Sequence, residues 1–381
     1  MNPRLRALLG FLVILSLILW IYGYLNLLVY RTLFKVLPED PWISFPLSVL
    51  FWVLAFAFVG GSLLERFRVS KWAAGLIWVG ALWMGWTWHA LLSLAVLKLL
   101  FYFMHWHGLW TDLWIAAGVT GFAAIFAGWG FWNAVATRIR RLEMVMSKKL
   151  PGGKKKVRIA VASDLHMGTI VGRSRINKLV RMIQSLKPDL ILFPGDLVDA
   201  DLPPVLKNNV GKALKRLNAP LGVFAVTGNH EYIGGAEPAI RYLKLHGVQV
   251  LRDEYKTLAN GIVLIGREDL TKHRFTGKNR QRLTELMRGI PPLAPTILLD
   301  HQPARLRDGV KERVDLQLSG HTHHGQLFPL NLLTRMMYEK SWGYLKKGYT
   351  QIYVSCGFGT WGPPFRIGSR SEIIELTLVF K

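Results

Sequence analysis

The sequence contains a single cysteine, Cys356, among 381 residues. One thiol permits no internal disulfide, which agrees with a reducing compartment, and it argues against a structural zinc site built from thiolates. Acidic residues are also scarce, with 24 Asp and Glu against 48 Lys and Arg, a formal net charge of +24. Such a charge favours an anionic partner. Because no motif and no interleaved aromatic and basic pattern accompanies it, nucleic acid recognition is not expected.

Charged residues are almost absent from four long apolar runs near the amino terminus. Each run reaches the length of about 20 residues that a helix needs to cross the hydrocarbon core. Four uninterrupted runs of this length argue against buried helices of a soluble core. A cleaved signal peptide has a much shorter apolar region, of about 7 to 15 residues. We therefore predict a four-helix transmembrane region, with helices at 7–30, 45–64, 72–100 and 113–136.

Lys and Arg are concentrated in alternate loops between these runs. They precede the first run, separate the second from the third and follow the fourth, whereas the remaining two loops hold only Arg31 and Lys35. The positive-inside rule then places both termini in the cytoplasm. We expect a multi-pass protein of the inner (cytoplasmic) membrane, with the lipid bilayer as partner and the carboxyl-terminal domain on the cytoplasmic side.

A basic segment that contains Pro-Gly-Gly follows the fourth run, "RIRRLEMVMSKKLPGGKKKVR". We interpret residues 138–156 as a basic linker between the transmembrane region, 1–137, and a soluble domain, 157–381. The Lys and Arg side chains either bind an anionic leaflet, at about 1 kcal/mol per residue, or form a solvated tether that only enforces the topology.

Short apolar runs alternate with amphipathic segments in the soluble domain. Continuous apolar runs predict strands that are covered on both faces, and hence an α/β fold. Such folds bind ligands at the carboxyl ends of their strands. The runs that end in polar residues or glycine are "VRIAVASD", "LILFPGD", "VFAVTGNH", "GIVLIG", "TILLDH", "VDLQLSGH" and "QIYVSCG".

Acidic, amide and imidazole side chains follow five of these predicted strands. Residues two apart on an extended segment point the same way, so the two members of an Asp-x-His or His-x-His pair are predicted to converge on one point. Carboxylate, imidazole and amide ligands without thiolate are what a pair of divalent transition-metal ions prefers. The residues are Asp164 and His166, Asp196 and Asp199, Asn229 and His230, Asp300 and His301, and His321 and His323.

These motifs resemble, in order, the DxH, GDxxD, GNH(D/E), lone His and GHxH motifs of the calcineurin-like metallophosphoesterases. The resemblance covers the whole soluble domain, and Glu231 in the third motif lies within the family's range. It implies a four-layer α-β-β-α sandwich with a metal site at the strand carboxyl ends. The membrane-linked branch of the family usually reads GHTHGGQ, whereas His324 replaces a glycine here. His324 is expected to stack at the rim or to be exposed, and a ligand role is the less favoured alternative.

The resemblance also implies roles for the matching residues. His230 faces the scissile phosphate, where it protonates the leaving oxygen or stabilises the transition state, and Asp199 orients it. Two divalent ions, with manganese favoured over iron or zinc, share a bridging hydroxide that attacks in line. One ion is assigned to Asp164, His166 and His323, the other to Asn229, His301 and His321, and Asp196 bridges the two.

The expected reaction is hydrolysis of a phosphodiester or pyrophosphate. A site held close to a bilayer favours a lipid-linked or nucleotide-linked substrate, and this branch includes enzymes similar to UDP-2,3-diacylglucosamine hydrolases. Residues 327–348, which mix Met and aromatic residues with Lys and Arg, either dock on lipid or an acyl chain or pack on the domain's own core.

Three other functions are open to the sequence. A broad-specificity phosphodiesterase with soluble substrates fits the same motifs. A non-catalytic membrane sensor of phosphate or metal predicts the loss of a catalytic residue, and none of the motifs has lost one. A transporter predicts paired intramembrane charges or broken helices, and the only ionisable residues of the apolar runs that resemble such a pattern are Lys98 and His89. Of the residues in the membrane region, His89 alone is a candidate for a function.

Overall fold

The computed structural model describes residues 3–153 and 155–380, which divide into two compact units, Met1–Trp129 and Gly130–Lys381. The described helices α1 to α12 are Pro3–Phe34, Pro41–Phe67, Lys71–Phe103, Leu109–Val135, Arg173–Ser185, Leu202–Lys207, Asn229–Gly234, Ala236–Leu245, Lys272–Thr276, Leu283–Met287, Leu306–Lys311 and Leu330–Met337. The described strands β1 to β12 are Arg138–Met146, Lys156–Val161, Leu190–Pro194, Val223–Val226, Gln249–Val250, Glu254–Thr257, Val263–Gly266, Thr296–Leu299, Leu316–Ser319, Gly343–Lys347, Thr350–Val354 and Glu372–Phe380.

Helices α1 to α4 confirm the predicted region of long apolar helices. All four are long and apolar enough to cross a membrane, with mean hydropathy between 1.4 and 2.2. Large apolar side chains such as Val13, Trp20 and Phe45 are more than half exposed on their surfaces. A soluble protein rarely exposes apolar surface on this scale, whereas a helix surrounded by hydrocarbon does.

Small residues and a few paired polar groups hold the first unit together. A Cβ atom added to Gly80 would lie 2.0 Å from the backbone nitrogen of Phe58, so α2 and α3 approach each other closely only because glycine is there. The fully buried Asn26 accepts a hydrogen bond from Trp83 Nε1 at 2.9 Å. His89 Nδ1 lies 2.6 Å from the carbonyl oxygen of Gly85, one turn earlier in α3. The side chain is therefore hydrogen-bonded to the backbone of its own helix.

Two six-stranded sheets form the centre of the second unit, with strand orders β1-β12-β2-β3-β4-β5 and β10-β11-β9-β8-β7-β6. Neighbours from β2 to β5 in the first sheet are parallel, as are β7, β8, β9 and β11 in the second. The facing sides of the sheets share one apolar core that includes Ile159 and Leu192 from one sheet and Leu299 and Leu318 from the other.

Helices cover the outer faces of both sheets. Ile176 and Leu179 of α5 and Leu243 of α8 pack on the first sheet. Leu283 of α10 packs on the second sheet, and Leu306 of α11 packs on β11 of the same sheet. The order of layers is helix, sheet, sheet, helix, as predicted.

Residues 138–146 correct the predicted linker of residues 138–156. They form β1, which pairs in parallel with the last strand, β12, from Arg138 opposite Glu372 to Met146 opposite Phe380. Met144 and Met146 are buried, and the guanidinium of Arg140 lies over the ring of Trp342 at 5.1 Å. The basic side chains therefore belong to an edge strand with one solvated face and not to a free tether. Charged side chains on an edge strand commonly prevent pairing with the strands of other chains.

Candidate metal centre

The polar residues predicted at the strand ends lie along one edge of the two sheets. Because the strands that precede them are parallel within each sheet, their carboxyl ends meet at the same edge. The first sheet supplies residues after β2, β3 and β4, and the second supplies residues after β8 and β9. Two groups of side chains result, which we name the first cluster, Asp164, His166 and His323, and the second cluster, Asp196, Asn229, His301 and His321.

The first cluster brings two imidazoles and a carboxylate together. His166 Nε2 and His323 Nε2 are 3.0 Å apart, and His323 Nε2 lies 3.5 Å from Asp164 Oδ1. All three residues are buried. Their ring and carboxylate atoms therefore point at one small space.

The second cluster adds an amide oxygen. Asn229 Oδ1 lies 2.8 Å from His321 Nδ1 and 3.2 Å from His301 Nε2. Asp196 Oδ2 is 3.1 Å from His301 Nε2 and 3.9 Å from His166 Nε2, so one carboxylate oxygen faces both clusters. This is the position that a bridging ligand requires.

The donor set fits divalent metal ions. Ligand atoms about 2.1 Å from a common ion are themselves about 3 to 3.5 Å apart. The closest pairs within the clusters are 2.8 to 3.5 Å apart, and the His and Asp ligand atoms of each cluster all lie within 4.8 Å of one another. A metal ligand imidazole must be neutral. Burial and neighbouring His301 lower the pKa of His321 to about 3, and burial, His166 and Arg366 lower the pKa of His323 well below its usual value. The pKa of His301 is instead raised well above its usual value, because Asp196 and other nearby carboxylates outweigh its burial.

The backbone at the centre is left-handed at most of the ligand positions. Each such non-glycine residue costs about 1 to 3 kcal/mol, and such residues gather at functional sites. This geometry corrects the prediction that paired residues lie on extended segments: His321 and His323 point into different clusters. Positive φ angles occur at Asp164, His166, Asp196, His321 and His323, between 46° and 72°.

Two glycines permit the close approach of these loops. A Cβ atom at Gly195 would lie 2.4 Å from His301 Nδ1, and the residue also has a φ of +92°. A Cβ atom at Gly228 would lie 2.1 Å from Asp196 Oδ1. A side chain at Gly195 would push apart the ligand loops of the two sheets, and one at Gly228 would push apart the loops after β3 and β4 of the first sheet.

His230 lies beside the clusters at the start of α7, on their solvent side. Its Nδ1 is 2.8 Å from Asp199 Oδ1, and its backbone N–H donates to Asp196 Oδ1 at 2.9 Å. Burial disfavours the charged imidazole, but the hydrogen bond to Asp199 and the nearby Asp196 outweigh it and raise the pKa of His230. Since Asp199 occupies Nδ1, Nε2 is the nitrogen left to meet a substrate.

Glu231 supports the second cluster from beneath, a role that the motif did not reveal. Its carboxylate accepts the backbone N–H groups of Asp196, Val198 and Gly228 at 3.2, 2.9 and 2.7 Å. Burial and the neighbouring Asp196 raise its pKa to about 7. The side chain therefore ties the loop after β3 to the start of α7, which carries Asn229.

Arg366, which lies in no motif, supports the first cluster. Its fully buried guanidinium lies 3.2 Å from His323 Nδ1 and donates to the carbonyl oxygens of Gly359 and Gly357 at 2.6 and 3.3 Å. The backbone N–H of Gly359 in turn donates to the carbonyl of Asp164. A buried arginine between two ligand loops was not predictable, because its partners are distant in the sequence.

Asp300 and His324 lie outside the clusters. Asp300 accepts hydrogen bonds from Arg267 at 3.0 Å and from Arg280 at 2.8 Å, so it belongs to a buried ion network behind the centre. His324 is buried, which excludes the exposed alternative, and its Nδ1 lies 3.0 Å from Ser341 Oγ. Its ring centroid is 5.3 Å from that of Trp342.

A cavity of about 580 Å³ opens onto both clusters. Residues of the centre line it together with residues of α12, Ile233 and Trp361. Helix α12 and β10 occupy most of segment 327–348. The exposed Leu332, Leu333 and Met336 contradict the alternative of packing on the domain's own core for α12. For β10 that alternative is confirmed, because Leu345 packs against the cluster of Leu306 and β11.

Comparison with known proteins agrees with this geometry. The profile of the calcineurin-like phosphoesterase family matches residues 157–325. An uncharacterized metallophosphoesterase of Aquifex aeolicus is 33% identical over 65% of this chain and 95% of its own length. A transmembrane protein with metallophosphoesterase domain from Danio rerio is 32% identical over 67% of this chain, but the chain spans only 60% of that relative's length.

Among solved structures, a dimetal phosphatase from Danio rerio is 13% identical over 53% of this chain and 87% of its own, with a TM-score of 0.33, too low to carry an argument. The sequence relatives and the family profile carry the assignment. The chain belongs to the calcineurin-like metallophosphoesterases, a family of metal-dependent phosphoric ester hydrolases, and joins their domain to four helices of membrane-spanning length.

Proposed function

We propose that the two clusters hold two divalent metal ions and that the centre hydrolyses a phosphodiester or pyrophosphate bond. The convergence of seven donor side chains on two adjoining spaces carries the proposal. Manganese is the favoured ion, because oxygen and imidazole ligands suit it and thiolate is absent from the set. The assignment is Asp164, His166 and His323 to one ion, Asn229, His301 and His321 to the other, and Asp196 to both.

When bound, such ions offset the negative charge of the phosphate ester and make a water molecule nucleophilic near neutral pH. The chain's own residues do the rest. The buried clusters fix where the phosphate lies, and the left-handed ligand positions hold that geometry before substrate arrives. Little reorganisation is then needed at the moment of reaction.

His230 is proposed as the general acid. Its Nε2–H donates a proton to the leaving oxygen as the phosphorus–oxygen bond breaks, and the product leaves as an alcohol or a protonated phosphate. Asp199, at 2.8 Å from Nδ1, fixes the tautomer and orientation of the ring and stabilises its charged form. Asp199 therefore acts through His230 and is a positioning residue.

The proposed substrate is a lipid-linked or nucleotide-linked phosphate such as UDP-2,3-diacylglucosamine, met at the cytoplasmic side of the inner membrane. The four apolar helices keep the centre near a bilayer, and the pattern of Lys and Arg in the loops supports the orientation. A carboxyl-terminal tag is expected to resist protease in intact cells and to be digested after lysis. Digestion in intact cells would reverse the orientation.

The function is tested with the full-length chain purified in detergent and supplied with Mn²⁺. We expect turnover of bis(4-nitrophenyl) phosphate and of UDP-2,3-diacylglucosamine, with inversion at phosphorus. His230→Ala is expected to retain metal but lose turnover, and His273→Ala, an exposed histidine, serves as the matched control. Wild-type rates in His230→Ala would rule out the proposed mechanism.

A further inference from the structure

Helix α12 begins six residues after His324, yet most of it is not packed into the domain. Only Asn331 is buried, whereas Leu332 and Leu333 are 49% and 52% exposed and Met336 and Met337 are 84% and 65% exposed. Contiguous exposed apolar side chains on a folded protein mark a binding surface. Their position beside a catalytic centre raises the question of what they bind.

One side of α12 lines the cavity that also reaches the two clusters. Leu330, Leu333 and Met337 are spaced i, i+3 and i+7, and this spacing places them on the same face of a helix. All three line the cavity of about 580 Å³ that also reaches Asn229 and His230. We name this face, Leu330, Leu333 and Met337, the chain wall. The cavity is thus polar where phosphate chemistry takes place and apolar away from it.

The geometry points to an amphiphilic phosphoester as substrate, with its phosphate at the two clusters and its alkyl or acyl chain against the chain wall. This inference rests on the proposed function and narrows it, since a nucleotide-linked substrate without an apolar chain would leave the wall unoccupied. Ile233 and Trp361 close the sides of the cavity and are 51% and 63% exposed. A chain bound there covers apolar surface that is otherwise in water.

The same helix provides its own control. Leu332 and Met336 are exposed but do not line the cavity. We name this pair the outer pair. If α12 only inserts into a bilayer or micelle, both faces contribute to binding. If the alkyl or acyl chain of a substrate lies in the cavity, the chain wall contributes to binding affinity and the outer pair does not.

The test measures binding of n-alkylphosphonates, from ethyl to decyl, to the Mn²⁺-loaded full-length chain by titration calorimetry. These compounds are not hydrolysed, so the result does not depend on turnover. One fixed detergent concentration keeps partition into micelles the same for every variant. We expect affinity to rise about twofold per methylene, because a half-open groove recovers about half of the transfer free energy of a buried methylene.

The double variant Leu333→Gln with Met337→Gln is expected to lose most of this dependence on chain length. The matched double variant Leu332→Gln with Met336→Gln is expected to keep it. All four positions are exposed, so these changes leave the fold intact, and the metal content of each variant checks this.

Two results would overturn the inference: a wild-type affinity that does not change with chain length, or an equal loss in the outer-pair variant, which would indicate docking to micelle or bilayer. Turnover of bis(4-nitrophenyl) phosphate is measured in parallel. Chain-dependent binding without turnover would end the proposed function and leave a site that only binds an amphiphilic phosphate. Turnover without chain-dependent binding would end the inference and leave the proposed function standing.

Discussion

The two ligand clusters are supported by buried groups of opposite charge. Glu231 holds the second cluster by accepting backbone N–H groups around Asp196 and Asn229. Arg366 holds the first cluster by donating to carbonyl oxygens and by contacting His323. Glu231 is a hydrogen-bond acceptor and Arg366 is a hydrogen-bond donor, although the loops that they hold carry the same kinds of side chain.

The difference carries an electrostatic consequence. Glu231 adds to the attraction for a cation at the second cluster where it is ionised, above its pKa of about 7, whereas the guanidinium of Arg366 beside the first cluster opposes a cation. The two ions are therefore expected to be held unequally, with the ion of the second cluster the tighter. The predictions below test whether this asymmetry is real, beginning with the change that affects both clusters.

Asp196→Asn is expected to have the largest effect, because the Asp196 carboxylate faces both clusters. Loss of its charge is expected to reduce turnover by about 10⁴-fold or more and to remove at least one ion per chain. Steady-state kinetics and elemental analysis measure the two effects. Glu143→Gln, which neutralises an exposed carboxylate on β1, is the control. Full metal content in Asp196→Asn would contradict the proposal that Asp196 binds both ions.

Asp199→Asn is expected to reduce kcat by about 10²- to 10⁴-fold with both ions retained. An amide at this position no longer stabilises the charged form of His230, although it fills the same space. The metal content separates this effect from ligand loss. Asp199→Glu, which keeps the charge at a changed distance, is expected to recover part of the rate, and loss of metal in Asp199→Asn would mean that Asp199 belongs to a cluster.

Glu231→Gln and Arg366→Lys are expected to lower the affinity for different ions, each by about 10- to 100-fold. Glutamine presents an NH₂ group to backbone donors that need an acceptor, which loosens the second cluster. Lysine keeps the charge of Arg366 but cannot reach His323 and two carbonyls together, which loosens the first cluster. Competition with a chelator, followed by metal analysis, measures both affinities.

Arg181→Lys and Glu143→Gln are the matched controls, since both side chains are exposed. In the wild type, graded chelation is expected to remove one ion before the other. Simultaneous loss of both ions at one chelator concentration, in the wild type and in both variants, would show that the opposite supports make no difference.

His324→Ala is expected to have the smallest effect. Loss of its contact with Ser341 removes one hydrogen bond, which costs about 1 kcal/mol of folding free energy. Thermal unfolding in detergent measures this change, and metal content and turnover are expected to stay at the wild-type level. His324 lies outside both clusters, which argues against a role as a metal ligand. A fall in the metal content of His324→Ala would show that it is one.

The strands and the polar residues at their ends were predictable because their signals are local. Each continuous apolar run predicted a buried strand. An acidic, amide or imidazole residue after the run was predicted to lie at the edge of the sheet where that strand ends. Convergence of Asp164 with His323, or of Asn229 with His301, depends on sheet order, which the family resemblance supplied and the residues alone did not.

The parts that were missed depend on long-range contacts or on ambiguous patterns. Residues 138–146 are basic enough to be interpreted as a linker, and only pairing with β12 reveals the strand. Arg366 contacts residues from two distant loops, and no spacing rule points to it. The apolar residues of α12 were visible in the sequence, but their exposure was not.

The number of metal ions in active protein tests the central claim most directly. Elemental analysis of the full-length chain, purified with Mn²⁺ and active on bis(4-nitrophenyl) phosphate, is expected to give two divalent ions per chain. Chelation is expected to abolish turnover, and Mn²⁺ is expected to restore it. Active protein with less than one ion per chain, whose turnover resists chelation, would contradict the account.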